Sequence, residues 1–434
     1  MEITSLPFLI NVILFLAIYQ IIPSRSLQVW ILIGSVFFYA SISPVLCGVL
    51  IGSILINYVI ANSNKRRKNI VAVLFNLSLL ASFKLQPNNY LLPIGVSFFS
   101  FQALSFIFDK KKNVTLLNFA NYISFFPQLI AGPIESFDHL GPQIAKPKKI
   151  QSNNLIVGVE IILKGLVFKL VFADRCSALI DPFFKSPAHF DGWFLVISTL
   201  AFSFQILLDF SGYCLMAVGL AKILGIELSS NFNQPYLATN ISSFWRNWHI
   251  TLHCWFKKYV YQNINKGWII GAFVVFFLSG LWHGLRPTYI LWGIICFAIF
   301  VLDRILLQKI NFKPFNWLIT FFLISFSWIF FRVENMVDLG TLSRLDFDLA
   351  PIKLFIADSI YSLSNFNLSG ILSYNSIDLK ITYSDWFILL FGLPTLAFFT
   401  FKVKRHNLGT LLFWFLVLCF FGYSNSTPFI YIQF

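Results

Sequence analysis

The stretch SFWRNWHITLHCWFKKYVYQNINKGWIIGAFVVFFLSGLWHG (243–284) changes character halfway. Its first half mixes Phe244, Trp248, Trp255, Tyr259 and Tyr261 with Arg246, Lys257 and Lys258. Aromatic and basic side chains interleaved in this way mark a helix lying at a membrane–water interface. Its second half, from Trp268 to Trp282, is apolar and approaches the roughly 20 residues a spanning helix needs. It closes on Trp282-His283-Gly284. A histidine beside hydrocarbon is costly unless a partner or a task holds it there. Three of the six histidines, His249, His253 and His283, fall in these residues. An interfacial helix feeding a span points to an all-α polytopic membrane protein.

Working outward, the remaining chain agrees. Of 434 residues, 57% are apolar and only 12% charged, against about 25% charged in soluble domains. The candidate spans are Leu6–Ile22, Leu27–Ser43, Val45–Ala61, Asn69–Phe83, Tyr90–Phe108, Leu155–Phe172 and Trp193–Phe210. Beyond the opening stretch they are Tyr289–Leu302, Phe315–Phe331, Trp386–Phe401 and Leu411–Gly422, giving about 11–12 with Trp268–Trp282. The N-terminus lacks a basic region and a small-residue cleavage site and reads as a first span, not a signal peptide.

The net charge of +14 has no soluble basic domain to serve a nucleic acid; it reads as the positive bias of cytoplasmic loops. Arg25, the run Lys65-Arg66-Arg67-Lys68, Lys110 to Lys112, the Lys146, Lys148 and Lys149 group, and the Lys402, Lys404 and Arg405 group all fall on one side if the N-terminus is extracytoplasmic. The loop from Val333 to Ser384 then lies outside, with six acidic residues against three basic ones.

A single transmembrane domain over 1–434 is expected. It comprises N-terminal spans (1–112), a re-entrant segment (113–150), a core (151–302), C-terminal spans (303–425) with the outer loop 333–384, and a tail (426–434). The 113–150 segment is interrupted by Pro127, Gly132 and Pro133, so short broken helices fit it better than a crossing. Six scattered cysteines show no ligand spacing, so neither a disulfide framework nor a metal site is expected.

Chemistry concentrates in few residues. His249 and His253, four apart, share a face if Ile241–Asn263 is one helix. No HExxH carboxylate accompanies them. A purely anchoring helix explains that segment equally well. His283 lies between Gly280 and Gly284 with Pro287 following, so the helix breaks near it. Its imidazole is either a packed residue satisfied by one hydrogen bond or a general base, since it titrates near neutrality. Asp209, in LLDFSGY, needs a partner, such as Arg246 or another basic group.

Six stretches together resemble the membrane-bound O-acyltransferase family, most closely its bacterial polysaccharide branch. They are LPIGVSFFSFQALSFIFD (92–109), YISFFPQLIAGPI (122–134), LLDFSGYCLMAVGLAKILGIELSSNFNQPY (207–236), SFWRNWHITLHCWFKKYVY (243–261), FLSGLWHGLRPTYILWG (277–293) and SWIFFRVENM (327–336).

The resemblance implies a ring of spans around a central tunnel, with His283 as the catalytic residue and His249 as the second histidine. Trp282, Trp248, Asp209, Arg246, Gln205, Gln128 and Asn247 are the candidate substrate-binding residues, with Trp282 and Trp248 shaping the tunnel. The resemblance implies no resident cofactor: the donor is a cytosolic thioester, acetyl-CoA or an acyl-carrier protein. The acceptor side implies a secreted or membrane-anchored SGNH-type partner and a bacterial cytoplasmic membrane. The last residues, Phe429-Ile430-Tyr431-Ile432-Gln433-Phe434, resemble a tail whose tyrosine, Tyr431 here, relays the acyl group. An interfacial anchoring tail is the alternative.

The sequence departs from the alginate-type pattern at Leu215 and at Lys257-Lys258. Leu215 and the Asn-Phe-Asn-Gln-Pro run (231–235) resemble the teichoic-acid D-alanyl branch instead. O-acetyl transfer is the expected activity; D-alanyl transfer and a non-catalytic transporter or scaffold remain the alternatives.

Overall fold

A computed structural model of the chain describes residues 5–84, 95–129, 132–264, 266–365, 371–374, 377–392 and 408–422. The chain forms two compact units, each built from separated stretches. The first comprises Met1–Gly165, Tyr213–Asn233 and Asn247–Gly267; the second comprises Leu166–Gly212, Gln234–Arg246 and Trp268–Phe434.

The first unit opens with α1 (Leu6–Ile21), α2 (Leu27–Ile42), α3 (Pro44–Asn62), α4 (Lys68–Lys84) and α5 (Val96–Phe108). Their starts are written locally. The Ser43 hydroxyl accepts from the Leu46 N–H, and Pro44 occupies the first turn, where a missing N–H costs nothing. Leu9, Ile10, Ile13 and Leu14 on α1 are exposed, an arrangement suited to lipid. Polar pairs hold helices together where hydrocarbon would not: Asn76 Nδ2 donates to Asn57 Oδ1 at 2.8 Å between α4 and α3.

The expected broken segment is indeed short pieces: α6 (Leu116–Ser124), α7 (Phe126–Leu129) and α8 (Phe137–Ala145), followed by α9 (Ser152–Leu166). The backbone then widens into seven residues of π-type helix, Val167–Ala173, before α10 (Asp174–Lys185). The expected span Leu155–Phe172 therefore ends in an irregularity that apolar length does not reveal.

The expected span Trp193–Phe210 is only the first part of α11 (Gly192–Ile223), 32 residues long. Two short helices follow, α12 (Ile241–Asn247) and α13 (Ile250–Tyr259). This corrects the single interfacial helix expected over Ile241–Asn263. The chain leaves the helical conformation at Trp248 and His249, so His249 and His253 do not share one helical face.

The second unit continues with α14 (Trp268–His283), α15 (Pro287–Ile305), α16 (Lys313–Arg332), α17 (Met336–Leu342), α18 (Leu349–Ser364) and α19 (Tyr383–Phe387), and the helix Leu408–Phe421 closes the described residues. A small antiparallel pair, Ile371–Tyr374 with Ile377–Thr382, supplies the strands of residues 333–384 among the described residues. Among the described residues, five helical stretches are long and apolar enough to cross a membrane, including Pro44–Asn62, Gly192–Ile223 and Lys313–Arg332; four shorter apolar helices accompany them.

Candidate functional site

In the second unit, His283 is the last residue of α14, and Pro287 starts α15 four residues on. The break expected from glycine and proline is present. The imidazole is only 6% exposed. Aromatic rings wall it in: Trp282 at 4.6 Å between centroids, Phe331 at 4.8 Å, Trp292 at 5.2 Å and Tyr289 at 6.2 Å. Trp282, Phe331 and Trp292 meet the imidazole edge to face, the arrangement aromatic quadrupoles favour. A ring caged this way has a fixed orientation and little water, which is what a general base needs.

Two donors stand in the same aromatic cluster. Trp292 stacks on Trp328 at 5.8 Å, and Trp245 packs on Trp292 at 6.1 Å. The indole N–H groups of Trp245 and Trp292 are buried, and neither finds an acceptor among the described residues. By contrast, the Trp328 N–H donates to the Tyr236 hydroxyl at 3.0 Å, which itself donates to the Ser203 carbonyl at 2.8 Å. Sequence reading passed over Trp245 and Trp292, although both stand inside the stretches that carry the family resemblance.

Asp209 has its partner, but it is Lys169. The Lys169 ammonium lies 2.7 Å from an Asp209 oxygen and 2.7 Å from an Asp174 oxygen, with all three side chains buried. Arg246 is instead exposed. Two carboxylates around one ammonium satisfy a charge that burial would otherwise penalise. Lys169 projects from the π-type turn. Its signal in the sequence is a lone lysine within VFKLVFA, an apolar run where a charge demands a partner. Gln205 is buried on α11, its Oε1 without a donor among the described residues.

In the first unit, His249 is 3% exposed and stacks over Phe98 with ring centroids 6.2 Å apart. It precedes α13 with φ +43° and ψ +54°, a left-handed conformation unusual for a residue other than glycine. Burial pushes the imidazole pKa down to about 3, so the ring is neutral near pH 7. Trp248 is buried and forms an isolated antiparallel bridge with Phe232. The Asn247 carbonyl accepts from the Asn233 N–H at 3.0 Å.

Beyond His249, the Ile250 N–H donates to the Asn231 carbonyl at 2.9 Å. The Thr251 hydroxyl donates to Asn231 Oδ1 at 2.7 Å and accepts from the Ile134 N–H at 2.9 Å. Gln128 joins from the same side, its Nε2 donating to the Pro133 carbonyl at 2.6 Å. Glu135, two residues after Pro133, accepts from the Ser229 hydroxyl at 3.1 Å. Gln128, Trp248, Asn247 and His249 thus belong to one interlocked patch of chain. The expectation did not include Asn231 or Thr251, which do the interlocking. Tyr431 and the rest of the Phe429-to-Phe434 tail lie outside the described residues.

The chain is similar to the peptidoglycan O-acetyltransferase of Helicobacter pylori, 32% identical over 379 residues and 71% of each chain. It is 36% identical over 279 residues to a probable alginate O-acetylase of Pseudomonas aeruginosa, covering 59% of this chain and 52% of that one. Against the teichoic acid D-alanyltransferase of Bacillus subtilis it is 29% identical over 252 residues, 54% of this chain and 63% of that one. The profile of one family matches residues 21–344, which hold the Lys169–Asp209 pair, His249 and His283, and the chain belongs to that family, the membrane-bound O-acyltransferases.

Proposed function

We propose that this protein takes an acetyl group from cytosolic acetyl-CoA and passes it across a bacterial cytoplasmic membrane for O-acetylation of an extracytoplasmic polysaccharide. The observation that carries the reading is the buried, aromatic-walled imidazole of His283 at the break between α14 and α15. The extended match to a relative named as a peptidoglycan O-acetyltransferase supports the acetyl group.

In the first half-reaction the His283 imidazole takes the proton of a hydroxyl, and the freed oxygen attacks the thioester carbonyl. The C–S bond breaks, and coenzyme A leaves as the thiol, receiving the proton from the imidazolium. Tyr431 is the hydroxyl we assign to this step. Its acetyl ester stays reactive enough to pass to a serine of a secreted or membrane-anchored SGNH-type partner, regenerating the phenol. His249 supports the transfer as a neutral, positioned imidazole.

Mass spectrometry of the full chain in proteoliposomes with isotopically labelled acetyl-CoA tests the reading. An added acetyl on Tyr431, absent in His283→Ala, is expected. Undiminished acetyl transfer by His283→Ala would overturn it.

A second reading, D-alanyl transfer from a carrier protein, is favoured by Leu215 and the Asn231-to-Pro235 run, and by the match to the Bacillus subtilis relative. D-alanyl-carrier protein offered beside acetyl-CoA separates the two, because only the true donor labels the chain.

A further inference from the structure

We propose that Asn231 and Thr251 are positioning residues for His249, holding its backbone in the left-handed conformation that aims the imidazole. The proposal rests on the reading that His249 takes part in acyl transfer.

The left-handed backbone at His249, φ +43°, is unfavourable for any residue with a Cβ and persists only when the surroundings over-determine it. Here they do so from both sides. Before the histidine, the Asn247 carbonyl is tied to the Asn233 N–H at 3.0 Å. After it, the Ile250 N–H is tied to the Asn231 carbonyl at 2.9 Å, and the Thr251 N–H reaches Asn231 Oδ1 at 3.3 Å. The Thr251 hydroxyl reaches the same Oδ1 at 2.7 Å.

Asn231 therefore holds two successive residues with two different oxygens. Relaxing His249 to a right-handed helical turn would fuse α12 and α13 and break these bonds together.

Asparagine suits the position for a specific reason. Its Oδ1 accepts twice while its Nδ2 donates to the Cys214 sulfur at 3.4 Å, so both ends of the amide are used. Asn231 itself is buried, where a lost acceptor cannot be replaced by water. Thr251 carries the constraint further: its oxygen also accepts from the Ile134 N–H. The imidazole plane against Phe98 is the result of the aimed backbone, with no hydrogen bond from Asn231 to the ring required.

The test uses the full chain in proteoliposomes, with coenzyme A release from acetyl-CoA as readout. Thr251→Val keeps the shape and removes the hydroxyl; Thr251→Ser keeps the hydroxyl. We expect the single-turnover rate of coenzyme A release to fall on the order of tenfold or more in Asn231→Ala and Thr251→Val, with the acetyl-CoA concentration for half-maximal rate little changed, because misplacement of about 1 Å can cost a hundredfold. Thr251→Ser restores the rate. In a His249→Ala background, adding Thr251→Val causes no further loss, since the residue acts through the histidine.

The 13C-histidine spectrum, with the His249 signal assigned by its loss in His249→Ala, shifts in Thr251→Val and returns in Thr251→Ser. If Asn231→Ala fails to fold, the valine–serine pair at position 251 decides alone. Losses that multiply in the His249→Ala background, or a His249 signal unmoved by Thr251→Val, overturn the proposal. Impaired His249→Ala beside an unimpaired Thr251→Val sinks the positioning role and leaves the role of His249 standing. An unimpaired His249→Ala removes both, while the reading of His283 stands on its own variant.

Discussion

Gly280 and Gly293 face each other where α14 meets α15. A Cβ built on Gly280 would stand 2.5 Å from the Tyr289 carbonyl oxygen and 3.5 Å from the Gly293 Cα; one built on Gly293 would stand 2.6 Å from the Phe276 carbonyl oxygen. Backbone meets backbone here, so no side chain can swing away. In a lipid-facing protein such small-residue contacts are how helices approach closely, since hydrocarbon gives them no hydrophobic push. His283 lies three residues beyond Gly280, and Trp292 directly precedes Gly293. The crossing therefore sets the aromatic wall of the imidazole.

Gly280→Ala is expected to force α14 and α15 apart and to cut acyl transfer at least tenfold, with an overpacking cost of about 1–3 kcal/mol. Thermal unfolding in detergent and the transfer rate check this together. A substituted protein with full activity would show that the crossing does not control the His283 geometry.

Lys169 is expected to matter more to stability than Asp209. Removing the ammonium in Lys169→Met leaves Asp174 and Asp209 buried as two carboxylates, and breaking a buried pair this way costs about 3–5 kcal/mol. Asp209→Asn leaves Lys169 paired with Asp174 and is expected to cost less. Yields of folded protein and detergent melting temperatures should rank native, then Asp209→Asn, then Lys169→Met.

Arg175 ties distant parts of the second unit. Its Nε donates to Asp385 Oδ1 at 2.7 Å, and its Nη1 donates to the carbonyls of Val171 and Phe421, each at 2.7 Å. The last of these sits at the C-terminal end of the helix Leu408–Phe421, whose final carbonyls have no helical partner. Arg175→Lys, with a compact head in place of a planar fork, is expected to lose this three-way grip. Faster protease cleavage next to residue 408 in the variant, at unchanged overall helicity by circular dichroism, is the expected result.

His249 gives a pH dependence with a defined sign. Its folded pKa, about 3, lies below the ordinary histidine value. On acidification the unfolded chain takes a proton at about pH 6.5 while the folded chain does not. The stability contribution is full above about pH 6.5 and is lost as pH falls toward 3. Its slope is at most about 1.4 kcal/mol per pH unit. His249→Phe is expected to flatten the acid limb of a stability–pH curve in detergent. An acid limb of the same slope in this variant would mean that His249 is not buried neutral.

The sequence alone determined the class of this protein, because membrane spans are written as local length and polarity. α1, α2, α3 and α4 begin and end within two residues of the apolar runs that announce them. The helix break at His283 was legible as well, since Gly280, Gly284 and Pro287 act through their own backbones. The candidacy of His249 and His283 rests on the runs of neighbouring residues that carry the family resemblance.

Tertiary structure decided the partners. Lys169 and Asp209 are forty residues apart, and no spacing rule connects them; only packing showed that the exposed Arg246 was the wrong base. The periodicity of Ile241–Asn263 favours one helix, and local preference would have kept it. Asn231, eighteen residues before His249, outbid that preference with a pair of buried hydrogen bonds to the residues after it. A residue's helical tendency is a few tenths of a kcal/mol, whereas an unmade buried hydrogen bond costs about 1–3 kcal/mol, so the long-range contact set the conformation of the histidine.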